Sequence, residues 1–224
     1  MQRGKRLDIP RTLLDDPMNR SAGSHDHTSD SKGSHMIKSY NYNILESKSV
    51  DESEFVEFWA KTYKDKHDSL YSSNIGNPLT TDSIQALFKW KNGGPISKNK
   101  QLSIQRNNID TTPVSPKVNE SVKLIQFITE PGGAIWRIFW LHCNSPKTYP
   151  IFDQHVFRAM KTITTGSPEE LPATDIAKAN AYVNEFLPFH NSFSYPDKKK
   201  LDEALWSYGK FLKTWEAVIV QPCN

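Results

Sequence analysis

Residues 131–160 read PGGAIWRIFWLHCNSPKTYPIFDQHVFRAM, and they decide the fold because they hold two helix starts and the breaks between them. Pro131-Gly132-Gly133 ends whatever helix precedes it: proline has no N–H to give, and glycine takes the left-handed conformation of a helix end at little cost. AIWRIFWLHC follows, with Trp136, Phe139 and Trp140 at helical spacing, which reads as core. A second break comes at NSPKTYP. Asp153 is then placed as the N-cap of a helix running to about Thr164. Short connections between successive helices predict an all-α, multi-helix domain.

The same reading extends outward. A helix of about 118–129, with Val118, Val122, Leu124, Ile125, Phe127 and Ile128, leads into the glycine turn. Asp51 caps ESEFVEFWAKTYKDK, in which Phe55, Phe58, Trp59 and Tyr63 mark one apolar face. Thr81 or Asp82 opens SIQALFKWKN, and Gly93-Gly94-Pro95 must end it. Ser97 caps KNKQLSIQRNN, and Pro113 and Pro116 punctuate the turn beyond. Thr174 caps TDIAKANAYVNEFLPF, and Asp197 caps DKKKLDEALWSYGKFLKTW. Weak β signals occur at YNYNIL (40–45) and AVIVQ (217–221), and no internal repeat is present.

With 224 residues the chain is long enough for one domain plus a tail. Residues 1–35 are polar and lack a hydrophobic period, which predicts a disordered tail or a segment derived from cloning. GSHM at 33–36 resembles a cloning junction and makes Met36 a candidate native start; a natural extension is the alternative. Residues 36–224 are expected to form a single helical domain. No run approaches the roughly 18 apolar residues of a membrane span, so no membrane partner and a cytoplasmic location are expected. Cys143 and Cys223 lie far apart, and His67, His142, His155 and His190 show no metal-ligand spacing, so neither metal nor cofactor is expected.

Net charge is +3, or +2 without the first 35 residues, but its distribution is uneven. Lys89, Lys91, Lys98, Lys100, Arg106 and Lys117 face only Asp110 between 89 and 117, and Arg137, Lys147, Arg158 and Lys161 face only Asp153 between 132 and 165. Two basic stretches form one phosphate-facing surface if the fold joins them; solvated helix and loop faces are the plain reading. A glycine turn between helices also exposes the orphan amides of the second helix, and such N–H groups hold phosphate oxygens.

Helix, Pro131-Gly132-Gly133, helix, then Pro150, Ile151, Phe152, Asp153, Gln154 and His155 resembles the helix-hairpin-helix DNA glycosylase superfamily. The chain is most similar there to small bacterial proteins with an 8-oxoguanine DNA glycosylase fold, through LFKWKNGG (87–94), YPIFDQHVFRAM (149–160) and LDEALWSYGKFL (201–212). The resemblance covers roughly 50–218. It implies that Asp153 assists loss of a base by stabilising positive charge on the sugar. It further implies that His155 lies near the DNA backbone, that the amides after Gly132 and Gly133 hold a phosphate, and that Trp206 and Tyr208 flank an everted base. Arg137 and Arg158 are phosphate partners by charge and location alone.

Four departures shape the expectation. One extra hydrophobic residue separates Pro150 from Asp153. Pro-Gly-Gly-Ala replaces the alternating Gly-hydrophobic-Gly hairpin, and no N-terminal β domain is evident. No lysine lies between Lys123 and Lys147, where strand-nicking relatives carry their Schiff-base amine. The expected function is a monofunctional, monomeric DNA glycosylase that removes a damaged or modified base. The alternative is a non-catalytic nucleic-acid-binding module of the same fold. On the plainest reading Asp153 is a helix cap, Gly132-Gly133 a helix stop and Lys198-Lys199-Lys200 a solvated helix start.

Overall fold

The structure, a computed structural model, describes residues 50–111 and 121–219. Every regular element among them is helical: α1 (Glu52–Ala60), α2 (Asp68–Ser72), α3 (Thr81–Lys91), α4 (Lys98–Arg106), α5 (Ser121–Thr129), α6 (Ala134–Asn144), α7 (Gln154–Thr165) and α8 (Asp175–Asn180). A π-helical stretch (Ala181–Phe186) continues α8 into α9 (Leu187–Asn191), and α10 (Lys198–Ile219) closes the described chain. The all-α class is therefore as expected. Residues 1–35, the 40–45 signal, Lys117, Val118 and Cys223 lie outside the described residues. Residues 217–219, at the second weak β signal, belong to α10. None of the described helices is long and apolar enough to cross a membrane.

Side-chain caps set the helix starts. Asp51 accepts from the Glu54 amide at 2.7 Å, Ser97 from Lys100 at 3.4 Å, Thr174 from Ala177 at 3.3 Å and Asp197 from Lys200 at 3.1 Å. The cap of α3 is Thr80, one residue before the expected pair. Thr80 accepts from the Ser83 amide while Ser83 Oγ accepts from the Thr80 amide, a reciprocal box that neither Thr81 nor Asp82 makes. Helix α1 ends at Ala60, earlier than the apolar spacing predicts, where the Thr62 hydroxyl and amide both bond the Trp59 carbonyl. Its buried face is Phe55 and Val56, whereas Phe58 is 53 % exposed.

Two apolar clusters share α6. Ile138 and Leu141 join Val56, Leu124, Ile128, Phe157, Tyr182 and Leu205 in the larger one. Phe139, Trp140 and Cys143, on another side of α6, pack with Tyr71, Leu87, Phe88, Ile104 and Ile109 in the smaller. Gly132 permits this joint. Its φ is +122°, and a Cβ there would stand 2.4 Å from Ile109 Cδ1. The glycine is thus used for packing the α5–α6 turn onto the segment after α4.

Helices α7 and α10 meet at backbone distance. A Cβ at Gly209 would stand 1.9 Å from the His155 carbonyl oxygen, and the Arg158 guanidinium donates to the Gly209 carbonyl at 3.2 Å. Because the clash is with backbone, no side-chain rotation relieves it. Gly209→Ala is expected to cost about 3 kcal/mol or more of stability, read by chemical denaturation. A loss under about 1 kcal/mol would mean that the two helices separate freely.

Candidate functional site

Asp153 is held by the start of α7. Its Oδ1 accepts from the His155 amide at 2.8 Å and the Val156 amide at 3.2 Å, so the residue is the N-cap, as expected. The other oxygen points elsewhere: Oδ2 lies 3.5 Å from Nζ of Lys91, the last residue of α3. The Lys91 side chain is 9 % exposed and also donates to the Phe152 carbonyl at 3.3 Å. Below this segment, the π-helical stretch sets Tyr182 and Phe186 against the Phe152 ring, and Tyr182 donates its hydroxyl to the Pro150 carbonyl at 3.2 Å. The Pro150–Asp153 strap is therefore fixed from both sides.

Asp153 and Lys91 line a cleft of about 150 Å³ at the seam of the two apolar clusters. A closed apolar cavity of ~150 Å³ admits a single aromatic ring. Trp90 of α3 and Trp206 of α10 contribute indole rings to its lining, with Tyr63 and Tyr71. Tyr63 meets Trp206 edge-on at 5.4 Å, and Tyr71 lies 4.4 Å from Trp90. Burial pushes both tyrosine hydroxyls far above their ordinary range, so they are neutral donors. The lining also carries Asp65, Asp68, Asp202 and Glu203, against Lys199. Several of these are committed: Lys199 to Glu203 at 2.9 Å and Asp68 at 3.6 Å, and Asp202 to His190 at 2.9 Å.

The other expected site residues divide. Trp206 lines the cleft. Tyr208 does not: it is 9 % exposed and packs on Phe55 and Trp59 at the α1–α10 contact. One helical turn separates neighbours three or four apart, so positions 206 and 208 face different ways. His155 is half-buried with its ring edge-on to Trp206 at 5.3 Å, and its Nδ1 has no hydrogen-bond partner. Burial lowers its pKa, Asp153 opposes this, and Arg158, Lys213 and Lys210 lower it further.

Neither expected arginine faces a phosphate. Arg137 is 3 % exposed and bonds the carbonyls of Pro131 and Asn107, both at 2.9 Å, and Glu130 at 3.1 Å. Its charge secures the glycine turn. Arg158 is fully buried between the Gly209 carbonyl and the Glu170 carboxylate. Positive side chains near a run of sequence thus gave a false surface, because both stems point into the helix contacts. Gly132 and Gly133 do not line the cleft. Gly133, at φ +94°, is the N-cap of α6 and makes no side-chain cap bond. Among the described residues no group of three or more His, Cys, Asp or Glu is placed to hold a metal ion.

Sequence reading missed Lys91, Trp90, Tyr71 and Asp202. The segment LFKWKNGG was conspicuous, but nothing local shows that its last helical turn meets Asp153. Comparison with protein-family models, curated proteins and solved structures finds no match.

His142 supports the cleft floor. Its Nδ1–H donates to the Tyr149 carbonyl at 2.7 Å, which leaves Nε2 to accept from the Tyr71 hydroxyl at 2.8 Å. Burial lowers its pKa, the strongest of several influences on it. A histidine depressed in the folded state takes up its proton more readily when unfolded, so its stability contribution is present above the unfolded pKa and lost as pH falls. Denaturation midpoints should hold above pH 7 and decline below about 6.5. His155, lowered in the same direction, adds to the decline. The acid loss should be shallower in His142→Gln; an unchanged slope removes His142 as a cause.

Proposed function

We propose that the protein is a DNA glycosylase that removes an altered base drawn out of the helix, with Asp153 stabilising the positive charge that develops on the sugar. One observation carries the reading. A carboxylate with one oxygen fixed by two helix amides turns its other side to a ring-sized, indole-lined cleft. As the C1′–N bond lengthens, the sugar gains positive charge, and a preorganised carboxylate stabilises it without reorganising at the moment of reaction.

The lining supports a base as the occupant. Five carboxylates against two ammonium groups repel phosphate, so the strand passes the mouth and only a base enters. Base faces suit Trp90 and Trp206, and N–H donors on a base edge suit the carboxylates. The phosphate contacts fall to the rim on α10. Lys210 and Lys213 are exposed there, with the Lys210 ammonium 4.6 Å from the centre of the Trp206 ring.

Asp153→Asn tests the chemistry and keeps the cap, because asparagine caps helices as well as aspartate does. On a panel of lesion-bearing duplexes, and on genomic or phage DNA with the freed base identified by mass, the variant should lose base release at least ~100-fold with helicity retained. Equal release by variant and parent ends the Asp153 mechanism. Duplex binding without release by the parent favours the non-catalytic binding module. Separately, Lys210→Gln with Lys213→Gln should flatten the salt dependence of duplex binding by about two units of slope. An unaltered slope places the phosphate path elsewhere.

A further inference from the structure

We infer that the rings of Phe58, Trp59 and Phe211, with the lysines around them, form a stacking surface for unpaired bases of single-stranded DNA beside the cleft. The choice of DNA rests on the base-removal reading, whereas the stacking surface rests on geometry and charge. Phe58 is 53 % exposed and Phe211 37 %, where α1 meets α10. Trp59, half-buried, lies between them, with its ring centre 5.2 Å from each of theirs. The buried Tyr208 ring, 5.0 Å from Trp59, ties the group to the core. Single apolar side chains at a surface are ordinary, but contiguous aromatic rings mark an interaction site.

Charge identifies the occupant. Lys61 follows Phe58 by about one turn, and Lys64 and Lys66 continue along the α1–α2 connection. All three are exposed and form no ion pair among the described residues. On α10, Lys210 and Lys213 flank Phe211 in sequence and are exposed too. Of the carboxylates on α1, Glu57 bonds Lys200 and Tyr195, and Glu52 bonds the Tyr195 amide. Exposed Glu54, one turn before Phe58, is the acidic edge of the surface. Lysine is depleted at protein–protein contacts, so rings set among lysines fit a polyanion better than another protein.

Base faces stack on aromatic rings whatever the sequence, and neighbouring cations follow the phosphates. In a duplex the base faces cover one another, so only an unpaired stretch presents them. The surface is continuous with the cleft. From Lys61 the α1–α2 connection runs to Tyr63 and Asp65 in the cleft wall, and the Lys210 ammonium stands 4.6 Å from the ring centre of Trp206 in the same wall. A strand that sends one base into the cleft lays its unpaired neighbours on these rings.

The test uses the full chain and an unmodified DNA oligonucleotide, alone or annealed to its complement, with binding read by fluorescence anisotropy over a salt series. The single strand should bind more tightly than the duplex. Phe58→Ala should weaken single-strand binding about tenfold with the salt slope unchanged, because it removes stacking and no charge. Phe58→Tyr, which keeps the ring, should bind as the parent does. Lys61→Gln should lower the slope by about 0.7, the share of one phosphate contact on a single strand. Ultraviolet crosslinking to oligothymidine, with proteolysis and mass spectrometry, should map to the peptides that hold Phe58 and Trp59 or Phe211. Equal affinity of Phe58→Ala and parent, tighter binding of the duplex or of an RNA strand of the same sequence, or crosslinks confined to other peptides overturns the inference. So does a parent dimer in sedimentation that Phe58→Ala dissociates, which gives the rings to a second copy. Base release from lesion-bearing DNA is scored separately. Release without single-strand binding leaves the Asp153 reading standing and removes only this one.

Discussion

The rest of the structure depends on the backbone approach of α7 to α10. At Gly209 the two helices are so close that a single methyl group would overlap the His155 carbonyl. This contact brings the start of α7, with Asp153 at its cap, beside the turn of α10 that carries Trp206. Arg158 closes the same joint by donating to the Gly209 carbonyl from full burial. A buried guanidinium is costly unless its hydrogen bonds are satisfied, and the Glu170 carboxylate supplies the opposite charge. The residue expected to meet a phosphate thus holds the frame that positions the carboxylate.

The second constraint is the sharing of α6 by both apolar clusters. Ile138 and Leu141 face one, Phe139 and Trp140 the other, so the helices before and after residue 134 are locked to a common wall. Gly132 lets the turn into α6 lie on Ile109, and Arg137 ties that turn to Asn107. The cleft lies along this seam, where α2 and α3 meet the Pro150–Asp153 strap and α10. Its opposed groups, a capped carboxylate and a restrained amine, come from segments with no local relationship. Aromatic rings fill the space around them.

The local features were legible. Caps at Asp51, Ser97, Asp153, Thr174 and Asp197 were readable because a short polar side chain before a helical period has few other uses. The shift to Thr80 was not, since it depends on a reciprocal bond with Ser83 rather than on residue type. Apolar spacing placed Phe55 inward but also Phe58, and only the packing of Val56 shows which side of α1 meets the core. Asp153 and Trp206, singled out by the resemblance, both line the cleft. Tyr208 was not distinguishable from Trp206 until the direction of α10 was known.

By itself the sequence determined the all-α class, most helix starts and the place of Asp153 at one of them. These are local properties, set by caps, glycines and the helical period within a few residues. Tertiary structure decided which charges face outward and which amine meets Asp153. Arg137 and Arg158 turn inward to bond backbone carbonyls and pair with carboxylates at the surface, while Lys91 crosses from α3 to the cap of α7. Such pairings depend on the packing of distant helices, and charge along the chain does not encode the direction in which a side chain points.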